Sequence, residues 1–551
     1  MAIEQLKIRE IVARAVDKKL DIPEFQREFV WDAEQCKLLV ESLYRDYPVG
    51  SFLLWDSSTY MQSKVAEGAQ ISEWIIDGQQ RTTALCLLLG MKPYWWPDAE
   101  TFNEWLRRAD VMINLAGDHD RPEFSLPNPV RRQDPAWMSA RAVLACEDVE
   151  DVTTLAMQLA DRLPPEGRNF AHVHARLQKL WQVREREVPI IKTAHEVEDV
   201  AEIFARLNRA GTRVREADVV LALAAAKNPG WVREHYLPSV GALKERGWDL
   251  EAGIYVRTMT ATGFGRARLR EVPAAFWADD NLPPVWDRSS KVIGQVVTRL
   301  ADWGLTSDAL LPSTNSLVPL FTLYAKWNDH GLDFPQALRW FLLANRDGRY
   351  SGSAITTLDE DVRAVQDADD ATGALTALLG KLETTDTVDA TEFLNRYDRS
   401  GSRFLRLLTY LTEYHNKAID WVDKNPIAFA KAGALETGFE PHWHHIYPRS
   451  VLKKAQKYSE DDINAIANLT VLNSDTNVKR LLWKEPATYL EEFNIGNNLL
   501  APHAVPDTFL PAGSEADRKA TWAVDRFPEF IADRAEELAR LSTAFLQGLK
   551  R

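Results

Sequence analysis

Cysteine is scarce in this chain: Cys36, Cys86 and Cys146 are the only three in 551 residues. They are odd in number, far apart and form no C-x-x-C pair, which argues against both a disulfide framework and a thiolate zinc site. Long apolar runs are missing as well. The longest, such as VVLALAAA at 219–226, fall far short of the ~20 residues a membrane helix needs. The opening MAIEQLKIRE carries charge where a signal peptide is apolar. The expectation is a soluble, cytoplasmic protein with reduced thiols and no membrane partner. An excess of positive charge is also lacking, since the formal net charge is −14, but binding of a polyanion depends on the local field rather than the net. Cations do cluster locally: Arg257, Arg266, Arg268 and Arg270 stand in an acid-free run, and Arg206, Arg209, Arg213 and Arg215 in another. Each is either a nucleic-acid stripe or a helix face balanced by acids elsewhere.

At this length two to four domains are expected, and 45% hydrophobic residues suffice for ordinary cores. IREIVARA has helical spacing, DIPEFQREFVW is a Pro-containing loop, and DAEQCKLLVESLYRDY reads as a helix capped by Asp32. GSFLLWD and EWIID look like strands, with TTALCLLLG a buried helix after the second. From about 231 helical patterns dominate, FPQALRWFLLANR among them, interrupted by the Gly/Ser/Thr-rich GRYSGSAITTLDED. KLETTDTVDATE, near 381–392, is a polar boundary. The C-terminal SEADRKATWAVDRFPEFIADRAEELARLSTAFLQGLK reads as a long helix or a helix pair.

Two constellations carry chemistry. In SEWIIDGQQRTTALCLLLG a strand meets Asp77-Gly78 and passes directly into an apolar helix. Such a turn aims the helix's N–H groups at whatever lies above it, and with Arg81 beside it the turn is suited to a phosphate. Asp77 could hold a cation or orient a water, and Gln79 and Gln80 could bond to a nucleotide. The turn is neither a Walker loop nor a dinucleotide fingerprint, and an ordinary structural turn with a surface arginine would look the same. The block IPEFQREFVWDAEQCKLLVESLYRDYPVGSFLLWD, then IIDGQQRTTAL, then IFARLNRAGTRVREADVVLAL, over about 1–225, resembles in order the N-terminal domain of GmrSD-type modification-dependent restriction enzymes, a relative of the ParB-like family. The resemblance implies that Asp77, Gly78, Gln79, Gln80 and Arg81 take part in binding and hydrolysing a nucleoside triphosphate. It further implies that Gln26, Arg27 and Asn208 face the same cleft.

The second constellation is HWHHIYPRS at 442–450, which places three of only eleven histidines within four positions. Imidazole moves protons and holds divalent metals near neutral pH. Downstream, INAIANLTVLNSDTNVKR supplies Asn468 and then Asn477, 23 and a further 9 positions beyond His445. This order and spacing resemble the HNH nucleases, whose ββα hairpin and helix surround one divalent metal. The resemblance covers about 400–551, including the final helix with Arg534. It implies that His445 is the general base, that His444 and Asn477 are metal ligands, and that Asn468 holds the His445 imidazole. Lys479, Arg480 and Arg449 would meet the DNA backbone. Neighbours on a regular strand face opposite sides, so His444 and His445 share a site only if the strand bends or ends there, as Pro448 suggests; otherwise His442 and His444 are the same-face pair. Many HNH motifs have Asp where this chain has His444, which leaves Mg2+ and Mn2+ both open.

These readings amount to an α+β multidomain protein. A ParB-like α/β sensor domain spans 1–230, a helical connector 231–395, and a mostly helical domain with a ββα-metal HNH motif 396–551. The function expected from the two resemblances is cleavage of modified phage DNA, gated by a nucleotide, with room for a homodimer. The alternatives are a nucleotide-responsive DNA-binding regulator with an inactive HNH fold, and a toxin-like nuclease acting on RNA.

Overall fold

The chain divides into two units, Met1–His235 and Tyr236–Arg551. The computed structural model describes every residue except 1, 23–28, 57–72, 117–121, 164–168, 194–215, 229, 278–280, 353, 428–441, 474–475, 482, 511–512 and 551. Gln26, Arg27, Asn208 and the arginine run from 206 to 215 therefore lie outside the described residues.

In the first unit β1 (Ala2–Lys7) leads into α1 (Ile8–Val16), where Ile8, Ile11, Val12 and Ala15 follow the i, i+3, i+4, i+7 spacing and are all buried. After β2 (Leu20–Asp21), α2 (Ala33–Tyr44) opens with a reciprocal cap. Asp32 Oδ1 accepts the Gln35 N–H at 2.8 Å, and Gln35 Oε1 accepts the Asp32 N–H at 3.0 Å, so two otherwise orphaned donors are satisfied. β3 (Phe52–Trp55) and β4 (Glu73–Asp77) precede α3 (Gln79–Leu89). Three short strands, β5 (Met112–Asn114), β6 (Phe124–Ser125) and β7 (Trp137–Ser139), form a small sheet of their own. β8 (Glu187–Thr193) joins the main sheet, whose order is β1-β8-β3-β4-β2. Pairing alternates across it: β1/β8 and β3/β4 are antiparallel, β8/β3 and β4/β2 parallel. α3 buries Thr82 through Leu88 on every side, the pattern of a helix enclosed in a core rather than laid on a surface.

Among its described residues the second unit is helical apart from one two-stranded hairpin. α4 (Ala252–Gly263), α5 (Leu282–Asp302), α6 (Leu317–Trp327), α7 (Phe334–Arg346), α8 (Ile355–Asp367) and α9 (Ala371–Leu379) come first. α6 packs against α4, α5 and α8, with every residue from Leu317 to Tyr324 buried. The expected interruption is present between Arg346 and Ile355 but is shorter than expected, because its ITTLDED end is the start of α8. Its Asp359 and Asp361 are wholly buried and paired: Asp359 takes the Arg266 guanidinium at 3.1 and 2.8 Å and the N–H of Ala267 at 2.8 Å. Asp361 takes Arg349 at 2.7 and 2.9 Å and the Tyr350 hydroxyl at 2.6 Å. Arg266 is thus a clasp between segments, and Arg268 is bonded to Glu271 and Thr356, so the balanced reading of this arginine run holds for both. α10 (Arg403–His415) and, at the C-terminus, α12 (Phe527–Gly548) pack together. Between them lie β9 (His442–His445), α11 (Arg449–Ala455) and β10 (Leu469–Leu472). A short helix, Glu515–Thr521, precedes α12, so the C-terminus is a helix pair.

Candidate functional site

The DGQQR turn is built around two glycines. Gly78 sits at φ +102°, in the left-handed region that favours glycine, and a Cβ there would lie 2.5 Å from Phe52 Cδ1. Gly50, at φ +83°, would bring a Cβ within 2.6 Å of Arg81 Nη1. Arg81 explains the crowding. Its Nη1 donates to Val49 O at 2.7 Å, its Nη2 to Ser51 O at 2.9 Å and to Asp77 Oδ2 at 2.9 Å. Its guanidinium also lies 4.7 Å above the Phe52 ring. Burial pulls the Arg81 pKa down, and the Asp77 carboxylate opposes that shift. Gln80 Oε1 accepts the N–H of Val30 at 2.8 Å and of Trp31 at 3.3 Å. The structure therefore brings Asp77 to Arg81 together, but three of the five Arg81 N–H groups hold the Gly50 turn and Asp77. The fork expected to clamp a phosphate is largely committed to the protein.

The histidine hairpin is arranged differently. β9 and β10 pair antiparallel with His445 opposite Leu469 and His444 opposite Thr470, and β9 ends at His445. His444 is buried against Trp421 and Tyr489, with ring centroids 5.8 and 5.9 Å away. Its Nδ1 meets Asn477 Oδ1 at 3.0 Å. The Asn477 amide is oriented by its Nδ2, which donates to Trp443 O at 3.1 Å, so its oxygen is the atom turned toward the imidazole. Asn477 rides on the helical turn Thr476–Leu481, and buried Asp420 pins the approach to it. Asp420 Oδ1 accepts the Thr476 hydroxyl at 2.8 Å, and Oδ2 accepts the Asn473 N–H at 2.8 Å.

His445 faces other partners. Its Nε2 lies 3.3 Å from Asn464 Oδ1, and the Tyr397 ring stands edge-on at 5.6 Å. The expectation that Asn468 holds this imidazole is corrected here. Asn468 is wholly buried, and its amide is taken up by backbone: Oδ1 accepts Tyr447 N at 2.9 Å, while Nδ2 donates to Tyr447 O at 3.1 Å and Ile463 O at 3.0 Å. The reason is reach. The bend after β9 leaves Tyr447's peptide groups without a strand partner, and the Asn468 side chain supplies one. Asn468 thus shapes the bend, and Asn464, four positions earlier, touches the ring. Burial drives both His444 and His445 down to about 4, so both imidazoles are neutral near pH 7 and carry a lone pair.

A buried charge network backs the hairpin. Arg534 on α12 donates Nη1 to Ala467 O and Leu469 O, each at 2.7 Å, and Nη2 to Glu413 Oε1 at 3.1 Å and His503 O at 3.0 Å. Glu413 in turn accepts the Thr470 hydroxyl at 2.9 Å and the Val471 N–H at 3.1 Å. Sequence reasoning missed Glu413, Asp420 and Asn464; the only signal for the last was its i, i+4 spacing to Asn468 in NAIAN. Of the expected phosphate contacts, Arg480 is exposed. Arg449 is half-exposed, with Glu460 at 4.0 Å. The Lys479 side chain is outside the described structure.

For a metal, the donor chemistry can be tested on these residues. Among the described residues no three His, Cys, Asp or Glu side chains form a closed cage. The His444–Asn477 pair is hydrogen-bonded at 3.0 Å, Nδ1–H donating to Oδ1, so a cation would be held here only with the His444 proton moved to Nε2, which leaves an imidazole lone pair and an amide oxygen side by side. The remaining positions of such an ion would go to water and phosphate oxygens, the usual habit of Mg2+. The imidazole donor extends the range to Mn2+ and other transition metals. With that proton moved, the pair fits a site completed by substrate.

Comparison with known proteins bears on the other unit. Residues 8–225 match the N-terminal domain of GmrSD restriction endonuclease. The match includes the whole DGQQR turn and ends ahead of the second unit. An uncharacterized protein of Methanocaldococcus jannaschii is 21% identical over 533 residues, spanning 88% of this chain and 86% of its own length. That similarity extends beyond the GmrSD-type segment, so at least part of the hairpin-bearing unit is shared as well.

Proposed function

We propose that this chain is a restriction-type DNA endonuclease in which the β9–β10 hairpin hydrolyses phosphodiesters. In this reading the GmrSD-type unit senses modified DNA and gates the cut with a nucleoside triphosphate. The observation that carries the reading is the meeting of His444 Nδ1 and Asn477 Oδ1 at 3.0 Å, one residue from a second neutral imidazole, in a chain whose residues 8–225 match a restriction endonuclease domain.

His445 takes a proton from water, the water oxygen bonds to phosphorus, and one phosphorus–oxygen bond to sugar breaks. The leaving alkoxide takes up a proton from solvent, giving a phosphate monoester and an alcohol. A divalent cation held by His444 and Asn477 would supply positive charge for the phosphate and the departing oxygen. An anionic phosphate beside His445 raises its low pKa toward the range useful for a general base. Arg480 and Arg449 lie on the exposed segments flanking the site, where contacts to the DNA backbone would position the strand.

For the gate, Asp77 and the start of α3 are the groups best suited to a nucleotide, with Arg81 holding the turn they stand on. The test is incubation of the full chain with modified and unmodified plasmid, with and without Mg2+ or Mn2+ and each nucleoside triphosphate, read on a gel. Metal-dependent cutting that favours modified DNA and responds to nucleotide supports the whole reading. Cutting indifferent to modification and nucleotide leaves only the nuclease, and no cutting of any DNA overturns it.

A further inference from the structure

The interaction made by His445 Nε2 was not expected from the motif, and it has a chemical consequence. Asn464 is 1% exposed, and both ends of its amide are assigned by their neighbours. Its Nδ2 donates to Glu460 O at 2.8 Å and to Glu460 Oε2 at 3.1 Å. An amide nitrogen only donates and a carbonyl oxygen only accepts, so these two bonds leave Oδ1 as the atom facing the imidazole at 3.3 Å. Glu460 is itself anchored by Lys453 Nζ at 2.6 Å. The Asn464 backbone is fixed too, since its carbonyl accepts the Tyr397 N–H at 3.0 Å. The Tyr397 ring then stands edge-on to His445, 5.6 Å away at 81°.

A neutral imidazole carries its proton on one nitrogen and a lone pair on the other. Facing a pure acceptor, Nε2 must be the N–H nitrogen, and the lone pair is forced onto Nδ1. Resting on the nuclease reading above, we propose that Asn464 is a positioning residue that locks His445 in the Nε2–H tautomer, so that Nδ1 is the atom that takes the proton from the attacking water. Asn464 lies outside the His445, Asn468, Asn477 pattern. Asn468 is left to shape the bend, and the task of orienting the base passes to a residue four positions earlier. The Glu460–Lys453 pair extends this support to α11, so that one chain of contacts runs from Lys453 through Glu460 and Asn464 to the ring.

The test reads the tautomer directly. Full-length protein labelled with 15N-histidine is observed by NMR at mildly alkaline pH, and the His445 ring is assigned by the signal lost in His445→Gln. Wild type is expected to show Nε2–H. Asn464→Ala is expected to shift the ring toward a tautomer mixture and to lower kcat on plasmid DNA by about 10- to 100-fold with KM unchanged. Asn464→Asp combined with Glu460→Gln keeps an acceptor beside the ring and should recover most of kcat. If Asn464→Ala does not fold, the double variant and the wild-type tautomer decide between the outcomes. An Nδ1–H ring in the wild type, or Asn464→Ala with an unchanged tautomer or kcat, overturns the inference while plasmid cutting by the wild type leaves the nuclease reading standing. Wild type that cuts no DNA overturns that reading, whatever the tautomer.

Discussion

The DGQQR turn and the histidine hairpin are both short, polar, glycine- or proline-marked segments where a strand ends, yet their polar atoms face in opposite senses. At the turn, Arg81 and Gln80 reach back to the peptide groups of Val49, Ser51, Val30 and Trp31, and they make the fold around themselves. At the hairpin, the peptide groups are satisfied by side chains that stand outside the candidate site, Asn468 and Arg534. Two side chains, His444 and Asn477, are left meeting each other, with Nδ1–H donating to Oδ1. A site with chemistry to do keeps donor atoms converged and lets neighbouring residues supply the scaffold. A motif whose side chains are the scaffold can still line a ligand site, but its mutations first read out as stability.

The largest effect that tests this contrast is at His445. His445→Ala should lower DNA cleavage by roughly 10²- to 10⁴-fold, the range of a proton-transfer role, with DNA retention in a gel-shift assay unchanged. Full activity would break the comparison at its functional side. Next comes the scaffold of the same hairpin. Arg534→Ala leaves Glu413 buried without its cation and two carbonyls without their donor, and should cost about 3–5 kcal/mol in urea unfolding. Arg81→Ala strips carbonyl partners from the Gly50 turn and should destabilise the first unit by about 2–3 kcal/mol, seen as faster proteolysis near residues 49–51. A raised KM for nucleotide with unchanged melting would instead make Arg81 a ligand clamp and erase the difference between the two motifs. Asn477→Ala should shift the metal titration of cleavage by about 10- to 100-fold, with partial recovery at excess Mn2+. An unchanged titration would point to His442 in its place.

Much of this was legible from local pattern. The apolar spacing of α1, the Asp32–Gln35 cap and the strand–glycine–helix passage at Gly78 are decided within a few residues of chain, and the His and Asn spacings did bring His444 to Asn477. What stayed hidden depends on partners far along the chain. α8 escaped because Asp359 and Asp361 sit on its buried side, and nothing nearby announces that Arg266 and Arg349 neutralise them. Asn468 was assigned the wrong contact because an amide bonds to whichever group the bend leaves unpaired, and that is settled only once the strand stops at His445. Arg81 looked like a phosphate ligand because a guanidinium fork recognises a carboxylate, a phosphate or peptide carbonyls with similar geometry. Which of these it meets depends on the Gly50 turn, about thirty residues earlier.

The smallest effect separates the two regions by their response to acid. The hairpin buries two histidines that the native state holds neutral, each driven down to about 4 by loss of solvent, whereas the DGQQR turn contains none. In the unfolded chain an imidazole titrates near 6.5. Because the folded values are lowered, the unfolded state binds protons first. Stability is therefore complete above about pH 6.5 and is lost as pH falls from there toward 4. One unit below the unfolded value each histidine should contribute about 1.4 kcal/mol of destabilisation. His415, which burial also lowers, adds in the same direction, so the measurement needs a difference rather than a single curve. Urea unfolding of wild type and His445→Gln across this range should show a shallower loss in the variant, with hydrogen exchange opening first in β9 and β10 while β3, β4 and α3 stay protected. Parallel curves for the two proteins would mean that His445 titrates alike in both states, and that the hairpin is no drier than the turn.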